Sequence, residues 1–449
     1  MGLNMLRWEA KISSEHILKL ADEEGVPVML GWMCCDQWEL WNQWTAEDYK
    51  VAPESLRSQI LMLRSHASAF IWANGSDGLP PKPVLDEYHQ VLKDLHWQNA
   101  MVDTVSSYAR DANGQPKWYG IHMKGPYTWR PPSYWFSGRY VGARGAVAEQ
   151  GDNENIPPYE SLTKIIPRDK LWPLNDYWYY HAGSDRGSDE LKNLRLAIDH
   201  RYGPSTSAQD LAEKAQLAAY EDTRAQFEDF AANGRANHKM TIYWMLNSVW
   251  PSFFGHLYDY YLKPGGSYYG AKKGLRPVSV VFDSYATGDH SQGNVTVVNQ
   301  KMAEQVGLRV RVRIYDLGGK VRLDRSAYNI HLPYNEAVHV LTLPLLRNIT
   351  STYFIRCDLF DKTGKQLVEN VYWQSTKDDD IGGYDGRIDD NPAIDPKRVV
   401  SWADFTALNT MPKVKLQIAG MIHNQDGKGE VDITLHIHPT RLRSSSGRR

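Results

Sequence analysis

From the N-terminus to about Lys273, short apolar runs alternate with segments of helical period. The runs are Leu3–Trp8, Val28–Trp32, Ala69–Asn74, Ala100–Val105, Trp118–Met123, Gly145–Glu149 and Thr241–Asn247. Apolar runs of this length, bounded by turn residues, read as buried strands. Between the first two, SSEHILKLADEEG offers a serine cap, an apolar face of Ile17, Leu18 and Leu20, and a stop at Gly25. Between the second and third, Glu54–Ser65 places Leu56, Ile60, Leu61 and Leu63 on one helical side. Strand and helix in alternation predict parallel strands wrapped by helices. Seven runs stand where a closed (β/α)8 barrel needs eight. The expectation for residues 1–275 is therefore an incomplete TIM barrel whose first strand is missing. Two unpaired edges imply low stability, and little activity, for such a barrel by itself.

After Gly274 the pattern changes. Val278–Phe282, Val295–Val298, Leu308–Tyr315, His339–Leu343 and Tyr353–Phe360 are short strand candidates with polar turns between them. They predict an immunoglobulin-like β-sandwich over residues 276–376. Residues 377–449 read as a linker, a partial second β-domain with strands at Val414–Ile418 and Glu430–His436, and a basic tail too polar to fold. The acidic run Lys377–Pro392 lacks the spacing of a calcium loop and reads as a solvated linker. His436 and His438 have no third ligand in sight and read as solvent-facing. The fold class is thus α/β plus all-β.

Composition narrows the function classes. The net charge of −2 provides no basic field for nucleic acid, and no stretch is long enough to span a membrane. Three cysteines make no disulfide framework; Cys34 and Cys35 read as packing beneath a strand end, and Cys357 as core. The 16 Trp and 26 Tyr against 10 Phe suit stacking on sugar rings, although core filling accounts for most of them.

In a parallel barrel the chemistry sits at the C-terminal ends of strands. Asp77 follows the run SAFIWANGS and Glu149 ends the run GAVAE, three strands further round the ring. Paired carboxyls so placed suit glycoside hydrolysis, which needs one protonated to assist the leaving oxygen and one ionised to attack the anomeric carbon. Asp77, within Gly75-Ser76-Asp77-Gly78, also fits a simple turn. Trp129, Tyr134 and Trp135 are either walls of a sugar subsite or loop anchors. Asn247 either donates to a sugar hydroxyl or caps a turn, and Trp250 is either a sugar wall or loop packing.

The segments GLNMLRWEAK, GWMCCDQWE, SDGLPP, MKGPYTWRPPSYWF, IYWMLNSVW, YYGAKK and VYWQSTK resemble, in order, motifs of the exo-β-D-glucosaminidases of glycoside hydrolase family 2. The resemblance implies a retaining hydrolase that releases β-linked D-glucosamine from the non-reducing end of chitosan oligosaccharides. Asp77, after Ser76, takes the place of the acid, and Glu149, after Ala148, that of the nucleophile. Glu9, two residues after Arg7, takes the place of the carboxylate that holds the substrate amine, where an ion pair with Arg7 or Lys11 is the other reading. Ser76, Asn247 and Trp250 complete the substrate-binding set. Lys124, and Ala148 in place of serine, depart from the family pattern and imply altered specificity. The resemblance further implies no cofactor, an oligosaccharide as the partner, and an extracellular or periplasmic location. Alternative readings are a β-mannosidase or endo-β-mannosidase of the same family, or a non-catalytic remnant.

Overall fold

The computed structural model describes residues 1–9, 14–32, 34, 36–106, 119–123, 125–136, 144–151, 154–183, 185–283, 292–382, 394–412, 414–425 and 428–438. Its first part carries parallel strands β1 (Leu6–Trp8), β2 (Val28–Gly31), β3 (Ala69–Ala73), β4 (Ala100–Val102), β5 (Gly145–Gln150) and β6 (His238–Tyr243). Strands β1 to β4 pair in sequence order, and β5 pairs with β6. The fifth predicted run contributes a single bridge, His122 to Val147; its residue Trp118 lies outside the described residues. Met29, Ala73, Val105, Ile121, Met123, Ala148 and Met240 meet inside the ring, with Met5 of the first run packed against them. This is the packed interior of a TIM-barrel-like fold.

Strand alternation decides what β1 presents. Leu6 and Trp8 pack outward against the helix layer, and Met5 packs inward. With a period of two, Arg7 and Glu9 share the inward face with Met5, at the C-terminal mouth. Between β1 and β6 lies a cavity of 760 Å³, lined by residues 2–9 on one side and 239–246 on the other. Among the described residues β1 pairs as a strand only with β2, and β6 only with β5.

The helix layer corrects two local expectations. Helix α1 (Glu15–Glu24) ends at Gly25 in the left-handed conformation, as its sequence predicts. Only Leu18 of the expected apolar face is buried, while Ile17 and Leu20 are exposed. In α2 (Asp48–Leu63) Leu56, Ile60 and Leu63 are fully buried, whereas Leu61 faces solvent. The strip that faces the strands is narrower than the apolar sequence suggests. Helix α3 (Lys82–Asp94) completes the layer, contributing Val84, Tyr88, Val91 and Leu92.

The second part is a two-sheet sandwich. One sheet runs β10 (Val321–Leu332), β9 (Gln305–Asp316), β12 (Thr352–Phe360), β13 (Gln366–Ser375), and the other β11 (Glu336–Pro344), β8 (Gln292–Asn299), β7 (Val278–Phe282). Val280, Val297, Val310, Val312, Ile355 and Leu359 fill the space between them. Strands β10 and β13 escaped the strand reading of the sequence because polar residues break both into short apolar pieces. In β10 only Leu323, Ile330 and Leu332 are buried.

The helix Ala208–Ala232 locks the two parts together and explains why so polar a segment is buried. Its Arg224 pairs with Glu228 at 2.8 Å, and its guanidinium lies 3.9 Å from the ring centre of Tyr372 on β13. Tyr372 in turn donates to Glu228 at 3.0 Å. Arg201 bridges Glu221 of the same helix and Asp379 beyond the sandwich. Buried charges are tolerated when paired and hydrogen-bonded in this way. A hairpin of β14 (Lys415–Gln425) and β15 (Lys428–His438) follows, longer than its two predicted pieces. The side chains of His436 and His438, most of the acidic run, and the basic tail lie outside the described residues. No described helix is long and apolar enough to cross a membrane.

Candidate active site

Four strand ends converge at the mouth of the ring. Arg7 and Glu9 come from β1, Ser76 and Asp77 from the turn after β3, Glu149 from β5, and Trp244 from the residue after β6. Tyr127 follows the His122 bridge. Arg7 is the hub. One of its amino groups donates to Glu149 Oε1, and the other donates to Ser76 Oγ at 2.9 Å and Glu9 Oε1 at 3.4 Å. The Ser76 hydroxyl lies 2.9 Å from Glu9 Oε1 and 3.2 Å from Asp77 Oδ1. Trp244 Nε1 donates to Glu9 Oε2 at 3.0 Å, and the Tyr127 hydroxyl donates to Glu149 Oε2 at 2.5 Å. Asp77, Glu9 and Glu149 are therefore joined by Ser76 and Arg7 into one network. The Cys34 thiol reaches Asp77 as well, and lies with Glu9 and Asp77 inside a group whose polar atoms are within 4.8 Å of one another.

The same environment sets Glu9 apart from the other two carboxyls. Burial, and then the charge of Glu9, pushes Asp77 above the ordinary carboxyl range, against the hydrogen bond from Ser76 and the charge of Arg7. Burial also pushes Glu149 up, to about 7, with the Arg7 guanidinium opposing it and the charge of Glu9 adding to it. Burial works to raise Glu9 too, but Arg7 together with donors from Ser76 and Trp244 holds it below its ordinary value. Burial and the neighbouring Glu149 charge keep the Tyr127 hydroxyl protonated, so it remains a donor. Carboxyls with different proton affinities around one cleft are what acid–base and nucleophilic chemistry requires.

Other expected residues fall elsewhere. Trp129 and Trp135 are core anchors, their indole N–H groups donating to the Ala218 carbonyl and to Asp222. Tyr134 is buried beside Trp135. These aromatics, two of them in the short helix Pro132–Phe136, pack against the helix Ala208–Ala232 as anchors and not as sugar walls. Asn247 forms a backbone bridge with Tyr258, and Trp250 stacks on His181 with ring centres 5.8 Å apart. The carboxylate network runs through Trp244, not through either of them. Lys124 lies outside the described residues. Sequence reading passed over Tyr127 and Trp244, although both sit in the quoted motifs, because a single aromatic in an aromatic-rich chain carries no signal of its own.

Comparison with known proteins bears on this arrangement. Residues 291–378 match the model of a Mannosidase Ig/CBM-like domain. The exo-β-D-glucosaminidase of Streptomyces avermitilis is 33% identical over 97% of this chain and 48% of its own. That of Hypocrea jecorina is 30% identical over 93% of this chain and 48% of its own. The crystal structure of the Amycolatopsis orientalis exo-chitosanase superposes with a TM-score of 0.87 at 28% identity, covering 98% of this chain and 52% of that one. The chain is a homologue of the exo-β-D-glucosaminidases. It spans about half the length of the curated relatives it matches. Two structures of the Amycolatopsis enzyme hold a p-nitrophenyl β-D-glucosaminide in variants that replace a glutamate or an aspartate by alanine. Those two residues are separated in that exo-chitosanase by the same number of positions as Asp77 and Glu149 here.

Proposed function

We propose that this protein is a retaining glycoside hydrolase of family 2 that removes β-linked D-glucosamine from the non-reducing end of chitosan-type oligosaccharides. The observation that carries the reading is the single network holding Asp77, Glu9 and Glu149 at the mouth of the ring. In the first step Asp77 gives its proton to the glycosidic oxygen while Glu149 attacks the anomeric carbon. The bond from that carbon to the leaving oxygen breaks, and a glycosyl ester of Glu149 forms. In the second step the Asp77 carboxylate takes a proton from water, whose oxygen attacks the same carbon and frees Glu149. Tyr127 and Arg7 hold the two Glu149 oxygens and stabilise its charge as it leaves. The spacing shared with the two residues replaced in the Amycolatopsis enzyme supports the same pair. An extracellular or periplasmic location fits a polymeric substrate.

Glu9 carries the preference for an amino sugar. Its lowered proton affinity keeps it anionic, and an anion beside C2 favours an ammonium over a hydroxyl or an acetamide. Glu9→Gln is expected to lower kcat/KM on p-nitrophenyl β-D-glucosaminide by about 10²-fold, the worth of one charge-assisted contact. The value on the matching β-D-glucoside should change by less than about threefold. Equal losses on both substrates in the rate assay would remove Glu9 from the selectivity role. A mannoside cleaved in preference to either glycoside would move the reading to the mannosidases.

The pH dependence follows from Glu149. It attacks as a carboxylate, so with its affinity pushed up to about 7 in the free protein, kcat/KM should fall as pH drops below that value. Substrate brings an ammonium next to Glu9, which cancels one of the charges raising Glu149. The acid limb of kcat should therefore lie at lower pH than that of kcat/KM. Glu9→Gln removes the same charge permanently and should move the kcat/KM limb down. Rate profiles between pH 4 and 9 check both, and a limb that moves up in the variant would contradict the assignment.

A further inference from the structure

The turn that carries Asp77 is held from below by a group outside the carboxylate network. Glu39, in the segment after β2, directs one oxygen at two backbone amides. It accepts from Ser76 N–H at 2.6 Å and from Gly78 N–H at 3.3 Å. These are the amides on either side of Asp77. The Ser76 carbonyl is fixed from the other side, accepting from the Thr104 hydroxyl at 3.0 Å. Gly75 closes the turn tightly: a Cβ there would lie 2.4 Å from the Gly78 carbonyl oxygen.

The segment around Glu39 is built to be stiff. Trp32 and Trp38 stack with ring centres 4.2 Å apart and planes 9° from parallel. The Trp38 N–H donates to the Asp36 side chain, and the Glu39 N–H to the Asp36 carbonyl. Trp41 lies against the turn itself, within 2.8 Å of where a Cβ on Gly78 would stand. Glu39 is half-buried, and no ion pair of the described residues includes it. Burial raises its proton affinity to about 7 even though two amides stabilise the charge, and the charges of Asp77 and Glu9 add to the rise. A carboxylate placed so close to two others, with no cation of the described residues paired to it, costs stability that a positioning role would offset.

We infer that Glu39 is a positioning residue, which clamps the Ser76 and Gly78 amides and so aims the Asp77 carboxyl at the leaving-group oxygen. The inference rests on the proposed glucosaminidase reading. It separates two substrate types, because only a poor leaving group needs the proton from Asp77.

The test uses Glu39→Ala and Glu39→Gln. In the alanine variant, kcat on chitosan oligosaccharides should fall by about 10²-fold, with KM changed by less than about threefold. On a dinitrophenyl β-D-glucosaminide, which leaves without assistance, kcat/KM reports the first step alone and should stay within about threefold. Glutamine keeps a carbonyl oxygen for both amides and should restore oligosaccharide turnover to within about fivefold of the parent. Hydrogen exchange of the peptide spanning residues 74–80 is read alongside. It should speed up in Glu39→Ala and stay slow in Glu39→Gln. Equal losses of kcat/KM on both substrates would make Glu39 merely structural, and unchanged exchange in Glu39→Ala would remove the clamp; either overturns the inference. If no protein in the set releases glucosamine, the functional reading fails, and the exchange experiment still decides whether Glu39 holds the turn.

Discussion

Glu149→Ala is expected to lower kcat on β-D-glucosaminides by about 10⁵-fold or more relative to the unsubstituted protein, the scale on which removing a covalent nucleophile is felt. The residue has no substitute at hand. Asp77 is the proposed acid, and Glu9 is occupied by donors from Arg7, Ser76 and Trp244. The vacated space next to Arg7 and Tyr127 is a small cationic pocket suited to an anion. Added azide should therefore restore turnover of an activated aryl glucosaminide and yield the α-glycosyl azide, because the anion attacks from the side on which Glu149 stood. A β-azide from this variant would place the nucleophile elsewhere. Thermal melting of the variant beside the parent distinguishes lost chemistry from lost fold.

Asp77→Asn should have the second-largest effect, and it should depend on the leaving group. For oligosaccharides, whose leaving alkoxide needs a proton, kcat is expected to fall by about 10³–10⁴-fold. For a dinitrophenyl glucosaminide the first step needs no acid, and the loss then reflects only base assistance to water in the second step. The steady-state rate should then become sensitive to azide, which attacks without a base and gives the β-azide. The sign of the Asp77 perturbation agrees with this assignment, since burial and the Glu9 charge both keep its proton on at higher pH. A uniform loss on all leaving groups, measured across a series of aryl glycosides, would assign Asp77 to the turn and leave the acid unidentified.

The architecture was legible wherever burial alone sets the pattern. Strands β2 and β3 are covered on both faces, and each appears in the sequence as an uninterrupted apolar run. Legibility failed where another layer changes what an apolar or polar residue means. Leu61 and Leu20 are apolar and exposed, while the charged residues Glu221, Asp222, Arg224, Glu228 and Asp229 are buried because their helix is covered by Arg201, Trp135, Tyr372 of the sandwich and His238. No periodicity within one segment carries that information. The same holds at the site. Asp77, Glu149 and Glu9 sit at strand ends, which alternation and spacing can locate, and their motifs singled them out. Arg7 was visible only as a neighbour of Glu9, and its place at the hub depends on strands separated by more than a hundred positions meeting at one point. Glu39 was invisible, because its effect is on the backbone of a turn that the sequence places far away. Trp129 and Trp135 misled, since a loop aromatic looks the same whether it faces a sugar or anchors a helix.

The central claim is that Asp77 and Glu149 work as acid and nucleophile on a β-glucosaminide, and the first-formed anomer tests it most directly. Proton NMR of the protein acting on p-nitrophenyl β-D-glucosaminide, followed before mutarotation, should show β-glucosamine appearing first, with the signal absent in Glu149→Ala. Appearance of α-glucosamine first would mean a single displacement by water and would contradict the nucleophilic role of Glu149, as would β-glucosamine released at an unchanged rate by the variant.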